Sequence, residues 1–156
     1  MKYTPFVIIA ILMFACNAPK DKELNNRITF ENSMWEKGDA KTFKVYIDPE
    51  HNPHYMAIVM NSNEKFPHPL LRLRIQEKRP NGELLEYDFE LNMQIREDDM
   101  EEIQQRGGKD HLVIPSFNYT ETGEYSFTVS HSMPEQSLLG LENMELVVKP
   151  VNAPNP

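Results

Sequence analysis

The chain has 156 residues, a formal net charge of −8 and one cysteine. That length supports a single domain-sized core. The acidic balance repels phosphate backbones and argues against nucleic acid as a partner; a lone cysteine rules out a disulfide framework and a cysteine zinc site.

The N-terminus opens with Lys2 and runs into the wholly apolar stretch Phe6 to Ala15, which ends at Asn17, Pro19 and Lys20. One positive charge before a short hydrophobic run is the layout of an export signal. The run is too short for a spanning helix, which needs about 20 apolar residues. Met13-Phe14-Ala15-Cys16 resembles a lipobox, in which a small residue precedes the cysteine that becomes acylated. Cys16 is therefore the expected lipidation site, and residues 1–15 the expected signal peptide. Residues 16–26 read as a polar tether whose ten residues after the cysteine reach at most about 33–36 Å. Acyl chains would confine the domain to a membrane surface.

From residue 27 the dominant signal is alternation with a period of two. Strands are expected at 27–33 and 42–48. The apolar run 55–61 follows. Leu71, Leu73 and Ile75 then alternate with Arg72, Arg74 and Gln76. Leu85, Tyr87, Phe89, Leu91 and Met93 alternate with Glu86, Asp88, Glu90 and Asn92. Further strands are expected at 125–131 and 144–149. Such alternation marks sheets with one wet and one buried face. Pro80-Asn81-Gly82 between two of these strands is a hairpin signal. Thr122-Gly123-Glu124-Tyr125 has the form of a tyrosine corner. The charged segment 95–106 breaks the pattern and predicts a short helix or mobile excursion. Residues 134–140, opening on Pro134 and closing on Gly140, predict a helical turn. The expected fold is all-β: an antiparallel β-sandwich, Ig-like or jelly-roll-like, with one short helical or mobile insertion. The domain is expected over 27–149, with a disordered Pro- and Asn-rich tail over 150–156.

Signatures of catalysis are missing from the sequence. There is no G-x-S-x-G elbow, no P-loop and no dinucleotide fingerprint. Asp98, Asp99, Glu101 and Glu102 lack the spacing of a calcium loop. His51, His54 and His68 could form a zinc site only if two loops met. The reading is therefore a non-enzyme with no catalytic residues, no metal and no cofactor. Loops on a rigid sandwich carry recognition, and aromatic residues make binding hot spots. The candidate partner-binding residues are Trp35, His51, His54, Tyr55, Phe66 and His68. Two alternatives stand beside this reading: a carbohydrate- or peptide-binding module stacking ligand on Trp35 or Tyr55, and a metal-dependent hydrolase using the histidine loops.

An ordered series of short features resembles the gliding-motility lipoprotein H (GldH-like) family of Bacteroidota. A lipoprotein signal ends at Cys16. Trp35 precedes Thr42-Phe43-Lys44-Val45. Then follow Asn52-Pro53-His54-Tyr55, Met60-Asn61-Ser62-Asn63, Phe66-Pro67-His68-Pro69-Leu70 and Pro80-Asn81-Gly82. Phe117, Gly123, Tyr125 and Phe127 match a late stretch of the family, and His131-Ser132-Met133 with Leu139-Gly140-Leu141 its closing segment. The chain departs from the family in three places: the acidic segment 95–106, Met133-Pro134 where Met-Arg is usual, and Glu145 where glycine is common. The resemblance implies a divergent, non-catalytic outer-membrane lipoprotein acting with the envelope proteins of the motility and type IX secretion machinery. Its periplasmic or cell-surface orientation stays open.

Overall fold

The structure is a computed structural model that describes residues 26–93 and 110–151. The export signal, Cys16, the tether up to residue 25, the 95–106 segment and the tail from residue 152 lie outside the described residues. Among the described residues ten strands form: β1 (Arg27–Thr29), β2 (Met34–Glu36), β3 (Lys41–Ile47), β4 (His54–Ser62), β5 (Leu70–Lys78), β6 (Leu84–Asn92), β7 (Asp110–Phe117), β8 (Gly123–His131), β9 (Ser137–Leu139) and β10 (Leu141–Pro150). They make two four-stranded antiparallel sheets, ordered β1-β10-β4-β7 and β3-β8-β5-β6, and a small β2-β9 ribbon. This is the all-β sandwich that alternation predicts.

One apolar core joins the two sheets. Met56, Ile58 and Met60 of β4 with Met144 and Leu146 of β10 supply one side. Phe43, Val45 and Ile47 of β3, Leu71, Leu73 and Ile75 of β5, and Tyr125, Phe127 and Val129 of β8 supply the other. The in-facing residues of β5 are buried and Arg72 and Arg74 exposed, as a pleat of period two requires. The outer face of β5 and β6 carries a cross-strand ladder. Arg72 meets Glu90 at 3.0 Å, Arg74 meets Asp88 at 2.9 Å, and Gln76 meets Glu86 at 3.1 Å. The Arg74 hydrogen bond holds the Asp88 carboxyl below its usual range.

The strand readings at 42–48, 55–61, 71–76, 85–93, 125–131 and 144–149 each fall on an observed strand, with ends shifted by a few residues. Two of the element readings need correction. The expected strand at 27–33 is a strand only over Arg27–Thr29; a 3-10 turn at Glu31–Ser33, with Asn32 and Ser33 at positive φ (54° and 52°), then leads into β2 and carries the chain from its pairing with β10 to its pairing with β9. Residues 137–139 are a strand, not a helical turn, because Leu138 is buried opposite Trp35 in the ribbon. The hairpin read at Pro80-Asn81-Gly82 is present, with strands that stop at Lys78 and Leu84 around a five-residue loop. Of Asn81 and Gly82, only Gly82 takes positive φ (89°). Strand β7 went unread: Pro115 within a short apolar run argues against a central strand. It is an edge strand, and its register against β4 shifts between His54↔Phe117 and Met56↔Ile114, so the bulge absorbs Pro115. Pro150, expected in the tail, ends β10 opposite His54.

Candidate functional site

The six predicted partner residues divide between opposite ends of the sandwich. His51, His54 and Tyr55 stand where β4 begins, whereas Phe66 and His68 follow its end. Nine residues of strand at about 3.3 Å each hold the two loops roughly 30 Å apart. The fold therefore separates the three imidazoles that a shared zinc site would need. Among the described residues no three His, Cys, Asp or Glu side chains are placed to hold a metal ion.

At the β4-start end, Asn52 clamps two segments. Its Nδ2 donates to the Tyr119 carbonyl at 2.7 Å, and its Oδ1 accepts from the Tyr119 N–H at 3.1 Å. The same Oδ1 lies 3.1 Å from His54 Nδ1. An amide oxygen only accepts, so His54 carries its proton on Nδ1. His54 is 4% exposed, with its ring edge-on to Tyr119 at 5.5 Å. Burial lowers its pKa, nearby His51 lowers it further, and Asp48 works in the opposite direction. Tyr119 in turn meets Tyr125 at 4.9 Å. Tyr125 Oη donates to the Glu121 carbonyl four residues upstream, at 3.0 Å, completing the tyrosine corner read from the sequence.

A buried carboxylate completes this end. Glu77 is 1% exposed and accepts from Arg79 Nε at 3.0 Å and Tyr87 Oη at 3.1 Å; Arg79 also reaches Glu83 at 2.9 Å. Burial pushes the Tyr87 phenol up to about 12, and Tyr119 is raised by burial as well. Both phenols therefore stay protonated at neutral pH. Glu77 is the next in-facing position after Leu71, Leu73 and Ile75, so carrying the alternation one step further finds it in the sequence.

The other end is closed by packing. Trp35 is 0% exposed, stacks on Phe30 at 5.0 Å and donates from Nε1 to the Asp39 carbonyl at 2.7 Å. His131 lies edge-on to Trp35 at 5.2 Å and is 5% exposed. Neither of its ring nitrogens makes a well-formed hydrogen bond, though backbone groups of Glu36 and Trp35 lie close enough to favour its charged form; the buried Glu135 Oε2 has no partner. Burial lowers the His131 pKa, Lys37 adds to that, and Glu135 opposes it. Lys37 Nζ ties the Met133 carbonyl at 3.0 Å, and His68 Nε2 lies 3.5 Å from Glu135 Oε1. Phe66 packs edge-on against His68 at 5.4 Å.

Two partner assignments are corrected by burial: the side chains of Trp35 and His54 are packed inside and offer no contact surface or stacking face. His131 is buried too. His51 is exposed, while Tyr55, Phe66 and His68 are half-buried and retain surface.

These features define an antiparallel β-sandwich: two sheets around one core, with the loops at both ends tied down by buried neighbours. The chain belongs to the GldH lipoprotein family, whose model matches residues 23–147. Membership of a lipoprotein family implies anchoring to a membrane by lipid. Among the described residues no helix is long and apolar enough to cross a membrane. No curated protein and no solved structure matches the chain.

Proposed function

We propose that the protein is a non-catalytic structural and interaction component of gliding motility or the associated type IX secretion machinery, anchored in the outer membrane through acylated Cys16. The family match across the sandwich carries this reading. The fold supports it: His51 and Tyr55 at one end, and Phe66 and His68 at the other, project from loops and strand termini fixed by buried neighbours. Trp35 and His54 act beneath them by holding those loops in place. Envelope proteins are the partners in this reading.

The test is a clean deletion complemented with wild type, Cys16→Ser, or a His51→Ala/Tyr55→Ala/Phe66→Ala/His68→Ala variant. Metabolic labelling with palmitate should mark wild type and not Cys16→Ser. Colony spreading and type IX secretion should fail in the deletion and in both variants. Normal spreading and normal secretion in the deletion would refute the role.

A further inference from the structure

The four strand edges of the sandwich are not equally protected. An edge strand presents unpaired N–H and C=O groups, and proteins blunt it by shortness, bulges, proline or charge. β1 has three residues. β7 carries its bulge and Pro115. β6 sets out Glu86, Asp88 and Glu90 along its outer face. β3 is neither short, bulged nor proline-bearing, and its two charges, Lys41 and Lys44, are each held by a carboxylate. It is seven residues long, contains no proline, and pairs with β8 in unbroken register from Lys41↔Val129 to Ile47↔Gly123. Among the described residues, β8 alone makes backbone hydrogen bonds to it.

Its polar side chains also turn away from the free edge. Lys44 Nζ reaches inward to Glu124 at 2.9 Å, and Thr42 Oγ1 meets Thr128 Oγ1 at 3.1 Å. Lys41 is tied to Asp39 at 2.6 Å. What remains at the edge is Tyr46, 64% exposed, the most exposed large apolar side chain of the described residues. On β3 itself the charges are paired, Lys41 with Asp39 and Lys44 with Glu124. A chain of net charge −8 repels its own copies in general but not along this strip.

We propose that β3 is a self-association edge, where a second copy of this chain adds its own β3 antiparallel across a two-fold axis. Residues opposed in such a ladder share a face, so three central registers are possible. Lys44 on Lys44 opposes two ammonium groups and is disfavoured. Phe43 on Phe43 carries Tyr46 past the end of the partner strand. Val45 on Val45 sets Lys44 opposite the partner copy's Tyr46, and Tyr46 opposite the partner copy's Lys44. Each pair places a cation beside an aromatic ring. The in-facing Phe43 and Ile47 then oppose each other, and the two apolar cores run on across one eight-stranded sheet.

The register is read by disulfide trapping in the full-length lipidated protein in its native membranes. Opposed β residues lie within disulfide reach, whereas positions offset by two residues along the strands fall beyond the roughly 7 Å limit between Cα atoms. The double variant Lys44→Cys/Tyr46→Cys is expected to give a covalent dimer on a non-reducing gel; Lys44→Cys alone and Tyr46→Cys alone should not. Tyr46→Glu should weaken association of the detergent-solubilised protein at least tenfold. Its fold is verified by the emission of Trp35, the only tryptophan and fully buried. A wild-type chain that sediments as a monomer, equal trapping by the single variants, or trapping of a different protein would each overturn the proposal.

Discussion

The two ends of this sandwich are sealed by different physics. Where β4 starts, closure is mainly polar: Asn52 bridges two segments, Glu77 gathers a guanidinium and a phenol, and Tyr125 bonds back to Glu121, although the buried Tyr119 Oη has no partner. Where β4 ends, closure is steric: Phe30, Trp35, His131 and Leu138 fill the opening, and polar atoms of His131 and Glu135 make no well-formed hydrogen bond. A polar seal is worth most when every member is satisfied, since a lost partner strands a buried group. A steric seal depends on volume and on close backbone approach, so it fails when either changes.

The sharpest way to break the steric end is at Gly140. Its φ is +86°, and a Cβ there would fall onto the backbone of Phe66 and Lys65. A β-branched residue is a strong outlier at such a φ. Gly140→Val should destabilise the domain by about 4 kcal/mol or more, read as loss of the cooperative urea transition. Trp35→Ala should follow at about 3–5 kcal/mol, measured by circular dichroism because the fluorophore is lost. Unfolding curves unchanged by either substitution would refute the steric account of this end.

The polar end is probed at Glu77. Removing it strands Tyr87 Oη and leaves Arg79 only Glu83, and breaking a buried ion pair costs about 3–5 kcal/mol. Arg79 is partly exposed and can rehydrate, so Glu77→Ala should cost about 2–3 kcal/mol, at or below the low end of that range. Glu77→Gln, which keeps an acceptor, should lose less. Equal losses for the two variants would show that volume, not hydrogen bonding, closes this end as well.

The contrast also explains what sequence could show. Alternation and, for β4, a continuous apolar run placed six of the ten described strands because the two main sheets bury one face each, and the Gly-x-Tyr spacing found the tyrosine corner because its hydrogen bond is local. Strand β9 was hidden because three residues carry no period, and only Trp35, a hundred residues upstream, gives them a partner. Trp35 and His54 looked like surface contacts because an aromatic near a turn has the same sequence signature whether it caps the core or faces water. The pairing of His131 with Trp35, like the clamp from Asn52 to Tyr119, joins distant segments and leaves no local trace.

The smallest effect separates the ends by pH. Burial holds His54 and His131 below the ordinary histidine value of 6.5. In the unfolded chain both take a proton as pH falls through that value, while in the folded chain they resist it. The unfolded state then binds more protons, so stability drops on acidification below about 6.5 and is unaffected by these groups above it. Thermal midpoints should therefore fall between pH 7 and pH 5. His131→Phe should flatten that slope and raise the midpoint at every pH, because neither nitrogen of the imidazole it replaces makes a well-formed hydrogen bond. His54→Phe should flatten the slope but lower the midpoint at neutral pH, since it breaks the bond to Asn52. If both substitutions moved the neutral midpoint in the same direction, the two histidines would occupy equivalent environments and the distinction between a polar and a steric seal would fail.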